Sequence, residues 1–386
     1  MIRLEPGLRR GTMTVPVSKS HAHRILIAEF LAGRFASLAS ADGDCEDVRA
    51  TKRCLRALAA AAPSGAAVLD CGESGTTRRL LGPVVAARGV KPTWEMKGRL
   101  ASRPQIDYAT LAPGVQELAG DVSSQFVSGL LFALPILDGD SEIRLSSPLA
   151  SRGYVDMTLD VLRTYGVAVE ETATGFRVAG RQEYRAPAAE PHIETDWSGA
   201  AFPLAMTALG SDVRLADACL AGLTADSRQP DRVVVRLLAD FARPGDISAD
   251  MDASPDLFPV LAVVASRRAG LTRFTGIRRL RLKESDRVAA MADVLARFGV
   301  AAEVSETAFV VRGRCEPLRG GAFRSFADHR IAMSIAVGAT VAEAAVEIDD
   351  AACAAKSYPG FFSQFAALAR RGRRLDGQES WHESGV

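Results

Sequence analysis

The chain has no run of roughly 18 uninterrupted apolar residues, the length a membrane-spanning helix needs. Its opening, MIRLEPG, lacks the basic-then-apolar pattern of a signal peptide. The six cysteines, Cys45, Cys54, Cys71, Cys219, Cys315 and Cys353, form no CxxC pair and follow no regular spacing. They read as reduced thiols of a cytosolic protein, not as a zinc site or a disulfide frame. Aromatic residues are scarce, at 6%, and the net charge of +1 argues against a nucleic-acid or membrane-surface partner. No GxxxxGK[ST] occurs, which excludes P-loop chemistry. No GxGxxG follows a strand and no GxSxG occurs, so dinucleotide and hydrolase readings also lack support.

What is present is a repeat. Small polar residues or Asp open almost wholly apolar runs, several of which close on Gly: SKSHAHRILIAEFLAG, ESGTTRRLLGPVVAARG, SSQFVSGLLFALPILDG, TDWSGAAFPLAMTALG, SPDLFPVLAVVASRRAG and ADHRIAMSIAVGATVAE. The expected starts are Ser20, Ser74, Ser123, Ser198, Ser254 and Asp328, since Ser, Thr and Asp cap helix N-termini and Gly caps C-termini. A helix apolar on nearly every face must be buried on nearly every side. A second, amphipathic type alternates with these, at 45–60, 155–171 and 285–306, the last two sharing Val-Leu-Arg, two residues, then Gly-Val. Short alternating stretches (SEIRLSS, GFRVAG, TAFVVRG) read as strands. The expected class is therefore α/β, with repeated strand and helix units, three per half.

If the buried helices of each half lie parallel, their N-termini gather on one face. Each contributes unpaired N–H groups and about half a positive charge, and such a face attracts anions. The residues at those starts include Lys19, Arg24, Glu73, Gly75, Thr76, Ser123, Ser124, Gln125, Asp256, Asp328, His329 and Arg330. Between them lie SRPQ with Arg103, KESDR (283–287) and AAKSYPG with Lys356. Each also has a plainer reading. Ser123 and Ser124 could serve only as a cap, and KESDR could be the solvated first turn of an outer helix. His21 and His23 read as surface residues, because no carboxylate or Cys nearby completes a metal site.

Taken in order, SKSHAHR, ESGTTRRL, SRPQ, SSQF, SRGYVDMTL, PDLFPVLAVVA, RLKESDR, DHRIAM and AAKSYPG resemble the EPSP synthase family of enolpyruvyl transferases, over about Val15 to Pro359. The resemblance implies a two-domain inverse α/β barrel. Each domain would hold three βαβαββ repeats whose parallel internal helices face an interdomain cleft. The domains would be 17–193, and 1–16 plus 194–386. It implies transfer of the enolpyruvyl group of phosphoenolpyruvate to the 5-hydroxyl of shikimate 3-phosphate, with phosphate released, through a tetrahedral intermediate and without metal or organic cofactor.

By motif match, shikimate 3-phosphate would meet Lys19, Ser20, Arg24, Ser123, Ser124, Gln125, Ser151, Tyr154, Asp256 and Lys283. Phosphoenolpyruvate would meet Lys19, Gly75, Arg103, Gln125, Arg287, Arg330 and Lys356. Asp256 would be the general base, and Glu284, with Lys19 assisting, would handle the methylene proton. The only expected partners are the two small substrates, for a cytoplasmic monomer without nucleic acid or membrane.

Four departures stand out. Glu73 replaces the family's common Asn, which calls for a neutralising cation such as Arg78 or Arg79. Arg279 occupies a position some members fill with Asn. His21 and His23 replace smaller residues, and the C-terminal RRGRRLDGQESWHESGV matches nothing and is expected to fray. The sister family acting on UDP-N-acetylglucosamine carries a reactive Cys in its first-half domain, whereas this chain has none between Cys71 and Cys219. A non-catalytic module on the same fold is the other alternative.

Overall fold

The computed structural model describes residues 1–62, 65–373 and 379–382. The chain forms two compact units. One comprises Ser18–Glu194 with Arg228–Pro230; the other comprises Met1–Val17, Thr195–Ser227 and the chain from Asp231 onward.

In the 18–194 unit, α1 (Lys19–Leu31), α2 (Glu46–Ala60), α3 (Gly75–Ala87), α4 (Ser124–Ala133) and α5 (Arg152–Thr164) follow one another. Helices α1, α3 and α4 are buried along nearly their whole length, as continuous apolar sequence requires. By contrast, α2 and α5 bury one face. Helices α3 and α4 pack closely at Gly129, where a Cβ would come within 2.5 Å of the Arg79 carbonyl oxygen.

A sheet runs Gly114–Leu118, Ser141–Leu145, Gly175–Val178, Glu170–Thr172 in spatial order, the first pair parallel and the others antiparallel. Leu80, Leu81, Val84, Leu130, Leu131, Leu162 and Phe176 belong to this unit's core.

The discontinuous unit repeats the scheme with α6 (Trp197–Ala208), α7 (Asp217–Leu220), α8 (Val234–Phe241), α9 (Phe258–Ala265), α10 (Arg287–Arg297), α11 (His329–Ala339) and α12 (Phe361–Ala367). Helices α6, α9 and α11 are buried. Its four-stranded sheet runs Ile247–Asp250, Leu271–Thr275, Phe309–Arg312, Ala302–Val304, again parallel once and antiparallel twice. Both sheets arise from the same chain order: strand, helix, strand, helix, strand, strand. The matching segments at 155 and 285 are the second helices, α5 and α10, of these two βαβαββ units. The other sheets among the described residues have two, three and four strands, and the four-stranded one, Asp212–Leu215, Arg9–Met13, Ala369–Arg373, Glu379–His382, is again parallel once and antiparallel twice.

Helix starts at Ser74, Ser123 and Asp328 fall where the sequence puts them, each side chain accepting a backbone N–H. Three shift. Ser18, not Ser20, caps α1, because its hydroxyl accepts from His21 N. Asp196, not Ser198, caps α6, accepting from Ser198 N at 2.9 Å. Helix α9 starts after Leu257, not at Ser254, with Pro259 in its first turn, where a missing N–H costs nothing.

Of the tail 370–386 expected to fray, residues 370–373 and 379–382 instead form strands: Ala369–Arg373 pairs with Arg9–Met13 and with Glu379–His382. The rest of that expectation, 374–378 and 383–386, lies outside the described residues. Among the described residues no helix is long and apolar enough to cross a membrane.

Candidate active site

In the 18–194 unit, Lys19 is the first residue of α1, and its ammonium reaches Asp47 Oδ2 at 2.9 Å. Asp47 sits in the first turn of α2, and its carbonyl accepts from Thr77 Oγ1 in the first turn of α3. Gln125, second residue of α4, accepts from Arg79 Nη1 and donates to Thr76 Oγ1, both at 2.9 Å. These links bring the N-termini of α1 to α4 together, so their unpaired N–H groups and positive dipole ends add at one place. Gly75 belongs there for a steric reason. A Cβ on it would lie 3.0 Å from Arg103 Nη1 and 3.4 Å from Arg79 Nη1. Thus Gly75, Arg103 and Gln125 form one cluster, with Arg79 as an additional cation beside them.

Arg24 is 1% exposed, and four of its five N–H donors meet protein acceptors. Nε donates to Thr158 Oγ1 (2.8 Å), Nη1 to the Ser20 carbonyl (2.7 Å), and Nη2 to the Tyr154 carbonyl (2.9 Å) and Ser128 Oγ (3.3 Å). Burial lowers its pKa to about 10. Arg24 therefore braces Ser20 and Tyr154. Ser151 caps α5 in a left-handed conformation (φ 50°), which costs about 1–3 kcal/mol in a non-glycine residue and concentrates at functional positions. Ser123 caps α4 and Ser124 is buried beside it.

The discontinuous unit gathers a second cluster. Arg287 opens α10 and is 1% exposed. Its guanidinium reaches Asp256 Oδ1 at 2.6 Å, Glu284 Oε2 at 2.8 Å and Asp328 Oδ2 at 2.9 Å. Asp256 also lies 3.4 Å from Lys283 Nζ and 3.3 Å from Arg330 Nη2. Arg330 Nη1 donates to the Ser198 carbonyl in the first turn of α6. Lys356 donates to the Ala327 carbonyl at 3.0 Å, and Phe326 and Ala327 are both left-handed. Asp256, Lys283, Glu284, Arg287 and Arg330 thus share one cluster at the starts of α6, α9, α10 and α11.

Burial alone would raise the Asp328 carboxyl, but Arg287 more than offsets it, leaving it below the usual carboxylate range. Burial pushes the Lys283 ammonium below its ordinary value.

KESDR is therefore not a solvated first turn. Nor are the helix starts bare cationic faces waiting for anions: Lys19, Lys283, Arg287 and Arg330 each have a carboxylate within 3.4 Å.

The departures resolve unevenly. Arg279 is held by Asp252, at 3.2 Å from Nε and 3.0 Å from Nη2. Arg78 stacks over Trp94 at 4.3 Å and Arg79 engages Gln125. Glu73 packs over Gly98, where a Cβ would come within 2.6 Å of its Cδ.

His23 is not a surface residue. It is fully buried, with Nδ1 2.6 Å from Thr51 Oγ1, and burial pushes its pKa well below 6.5. Burial lowers His21 too, and its Nδ1 accepts from Glu194 N. Both rings are neutral near pH 7, so protonation of these rings will not strengthen anion binding as pH falls through 6.5. Replacing His21 and His23 with Ala should leave the pH dependence of binding unchanged. It should also lower stability by about 1–3 kcal/mol, because Thr51 loses a buried partner. Binding titrations and thermal unfolding across pH check both.

Fold and clusters together describe an α/β protein equipped to hold small polyanions at gathered helix N-termini. The family model for EPSP synthase (3-phosphoshikimate 1-carboxyvinyltransferase) matches residues 99–365. A 3-phosphoshikimate 1-carboxyvinyltransferase of Clostridium kluyveri is 34% identical, covering 95% of this chain and 97% of its own length. One of Methanocorpusculum labreanum is 33% identical over 93% and 96%. Among solved structures, EPSP synthase from Acinetobacter baumannii shares the fold with a TM-score of 0.69 at 22% identity, covering 94% of this chain and 97% of that one. The enolpyruvyl transferase NikO from Streptomyces tendae does so at 0.63 and 15%, over 99% of each chain. The chain belongs to the EPSP synthase family.

Substituting Gly75 with Ala should press a methyl group on the Arg103 guanidinium. The expected result is a rise in KM for phosphoenolpyruvate of roughly tenfold, equivalent to about 1.4 kcal/mol, with kcat little changed. Steady-state kinetics checks it.

Proposed function

We infer that the chain acts as a 3-phosphoshikimate 1-carboxyvinyltransferase, moving the enolpyruvyl group of phosphoenolpyruvate to the 5-hydroxyl of shikimate 3-phosphate and releasing phosphate, a step of aromatic amino acid biosynthesis. The observation that carries this reading is identity above 30% with named transferases over nearly the full length, together with the clustering of the matched residues.

Shikimate 3-phosphate is assigned to Lys19, Ser20, Arg24, Ser123, Ser124, Gln125, Ser151, Tyr154, Asp256 and Lys283, with Arg24 also bracing Ser20 and Tyr154. Phosphoenolpyruvate is assigned to Lys19, Gly75, Arg103, Gln125, Arg287, Arg330 and Lys356. The functional domains are taken as 17–193 and 1–16 plus 194–386. We also take the enzyme to be a cytoplasmic monomer; five of its six cysteines are buried free thiols, which fits a reducing compartment.

Asp256 takes the proton of the 5-hydroxyl as its oxygen attacks C2 of phosphoenolpyruvate, and the methylene carbon receives a proton from Glu284 or Lys19. The resulting tetrahedral ketal phosphate then loses a methyl proton and phosphate, restoring the enol ether. Arg287, Arg330, Arg103 and Lys356 stabilise the phosphate and carboxylate charges while little water is present to screen them.

Phosphate release measured with phosphoenolpyruvate and each acceptor in turn tests the assignment. Release with shikimate 3-phosphate is expected. Release with UDP-N-acetylglucosamine alone would favour the sister enzyme, and none with either would favour a binding module.

A further inference from the structure

Asp231, in the short turn Pro230–Val233, is 1% exposed and has no role in the reaction as assigned above. Its Oδ2 accepts from the Ser198 hydroxyl. Ser198 is gripped twice more: its N–H donates to Asp196 Oδ1 at 2.9 Å, and its carbonyl accepts from Arg330 Nη1 at 3.3 Å. Arg330 Nη2 in turn lies 3.3 Å from Asp256 Oδ2. Two aspartates thus fix the residue whose carbonyl aims the Arg330 guanidinium.

The groups that act on Asp231 are Asp256 from the turn before α9, Asp196 from the cap of α6 and Arg330 from α11. Beyond them Arg287 links Asp256 to Asp328. Asp196, Asp231 and Asp256 act on Arg330 directly, and with Glu284 and Asp328, which pair with Arg287, these carboxylates outnumber the cations Lys283, Arg287 and Arg330. A further anion arriving there adds negative charge to a buried cluster already rich in carboxylates, which favours protonation of one of them.

We propose that Asp231, through Ser198, positions Arg330, and that it takes up a proton from solvent when an anion binds at that guanidinium. Asp231 is the group suited to do so, since burial, then Asp256, already push its carboxyl up to about 6. Asp256 cannot yield as easily, because it touches three cations. The anion class is a small phosphorylated carboxylate; the inference rests on phosphoenolpyruvate meeting Arg330.

Three measurements on the full chain test it. Difference infrared spectra near pH 7, before and after phosphoenolpyruvate is added to the shikimate 3-phosphate complex, should gain the C=O stretch of a protonated carboxylic acid. Asp231→Asn should abolish that band. No band in the wild type, or the same band in the variant, overturns the proposal, and the wild-type spectrum suffices if the variant does not fold. His329, 3.8 Å from Asp328, is the competing proton acceptor, and it would give no carboxylic band.

Next, the ratio of KM for phosphoenolpyruvate, wild type over Asp231→Asn, should be close to one at acid pH. It should rise above pH 6, by about tenfold for each unit the bound anion adds to the acid's pKa. A ratio independent of pH means a merely structural role and overturns proton uptake.

The third measurement needs no substrate. The raised pKa of Asp231 makes its contribution to stability fall as pH climbs from its unfolded value through about 6. Asp231→Asn should therefore gain stability relative to wild type above pH 6 and not near pH 4. An equal shift at both overturns the proposal, whether or not the assigned reaction holds.

Discussion

Arg287→Ala is expected to destabilise the discontinuous unit by about 3–5 kcal/mol at pH 7, the cost of leaving buried charge without its partner. One guanidinium, 1% exposed, faces Asp256, Glu284 and Asp328. Removing it leaves three carboxylates at the starts of α9, α10 and α11, of which Asp328 is fully buried. Arg287→Lys should recover only part of the loss, because a compact ammonium cannot reach three separated carboxylates as a planar fork does.

The pH dependence follows from the sign of the shift. The Asp328 carboxyl lies below its ordinary value in the folded protein, so its contribution is present above pH 4 and is lost as pH falls through the folded pKa. In Arg287→Ala the freed acids rise instead, so the deficit should be greatest near neutrality and shrink toward pH 4. Denaturant unfolding at several pH values checks this. A loss under about 1 kcal/mol would mean the ion cluster is not what holds these helix starts together.

Asp256→Asn is expected to fold normally and to lower kcat by about 10²–10⁴-fold, the usual contribution of a positioned general base. Asn keeps the shape and most hydrogen bonds but cannot accept the 5-hydroxyl proton. It also removes a negative charge that Lys283, Arg287 and Arg330 all face. Substrate affinity should therefore be unchanged or tighter while turnover collapses. Kinetics combined with equilibrium titration of shikimate 3-phosphate separates the two effects. Unchanged turnover would remove Asp256 from the base role.

The helix starts were legible because capping is local: Ser or Asp followed by an apolar run is written in adjacent residues, and errors stayed within about three positions. The repeat was legible because α5 and α10 share a face pattern. The partners of the site residues were not. Lys19 and Asp47 are 28 residues apart, Ser198 and Asp231 33, Arg287 and Asp328 41, and Arg24 and Thr158 134. No local rule pairs residues at such separations; only the fold does.

The same separations hide the acids that neutralise the cations at the helix starts. Among the acids that neutralise them, Asp328 is also a helix cap and Asp47 a first-turn residue, while Asp256 and Glu284 lie just before α9 and α10. His23 departs for the opposite reason: its polar neighbours suggest a surface, but α1 is buried from Ala22 to Phe30, and whatever stands there is buried too. The crowding of Lys19, His21, His23 and Arg24 at one helix start is thus resolved by Asp47 for the lysine, by neutrality for the histidines and by hydrogen bonding within the core for Arg24.

The most direct measurement is of the product itself. Phosphorus NMR and mass spectrometry of the purified chain with phosphoenolpyruvate and shikimate 3-phosphate should show one free phosphate released per 5-enolpyruvylshikimate 3-phosphate formed. Folded protein that leaves both substrates unchanged, or that releases phosphate without forming the enol ether, would contradict the account.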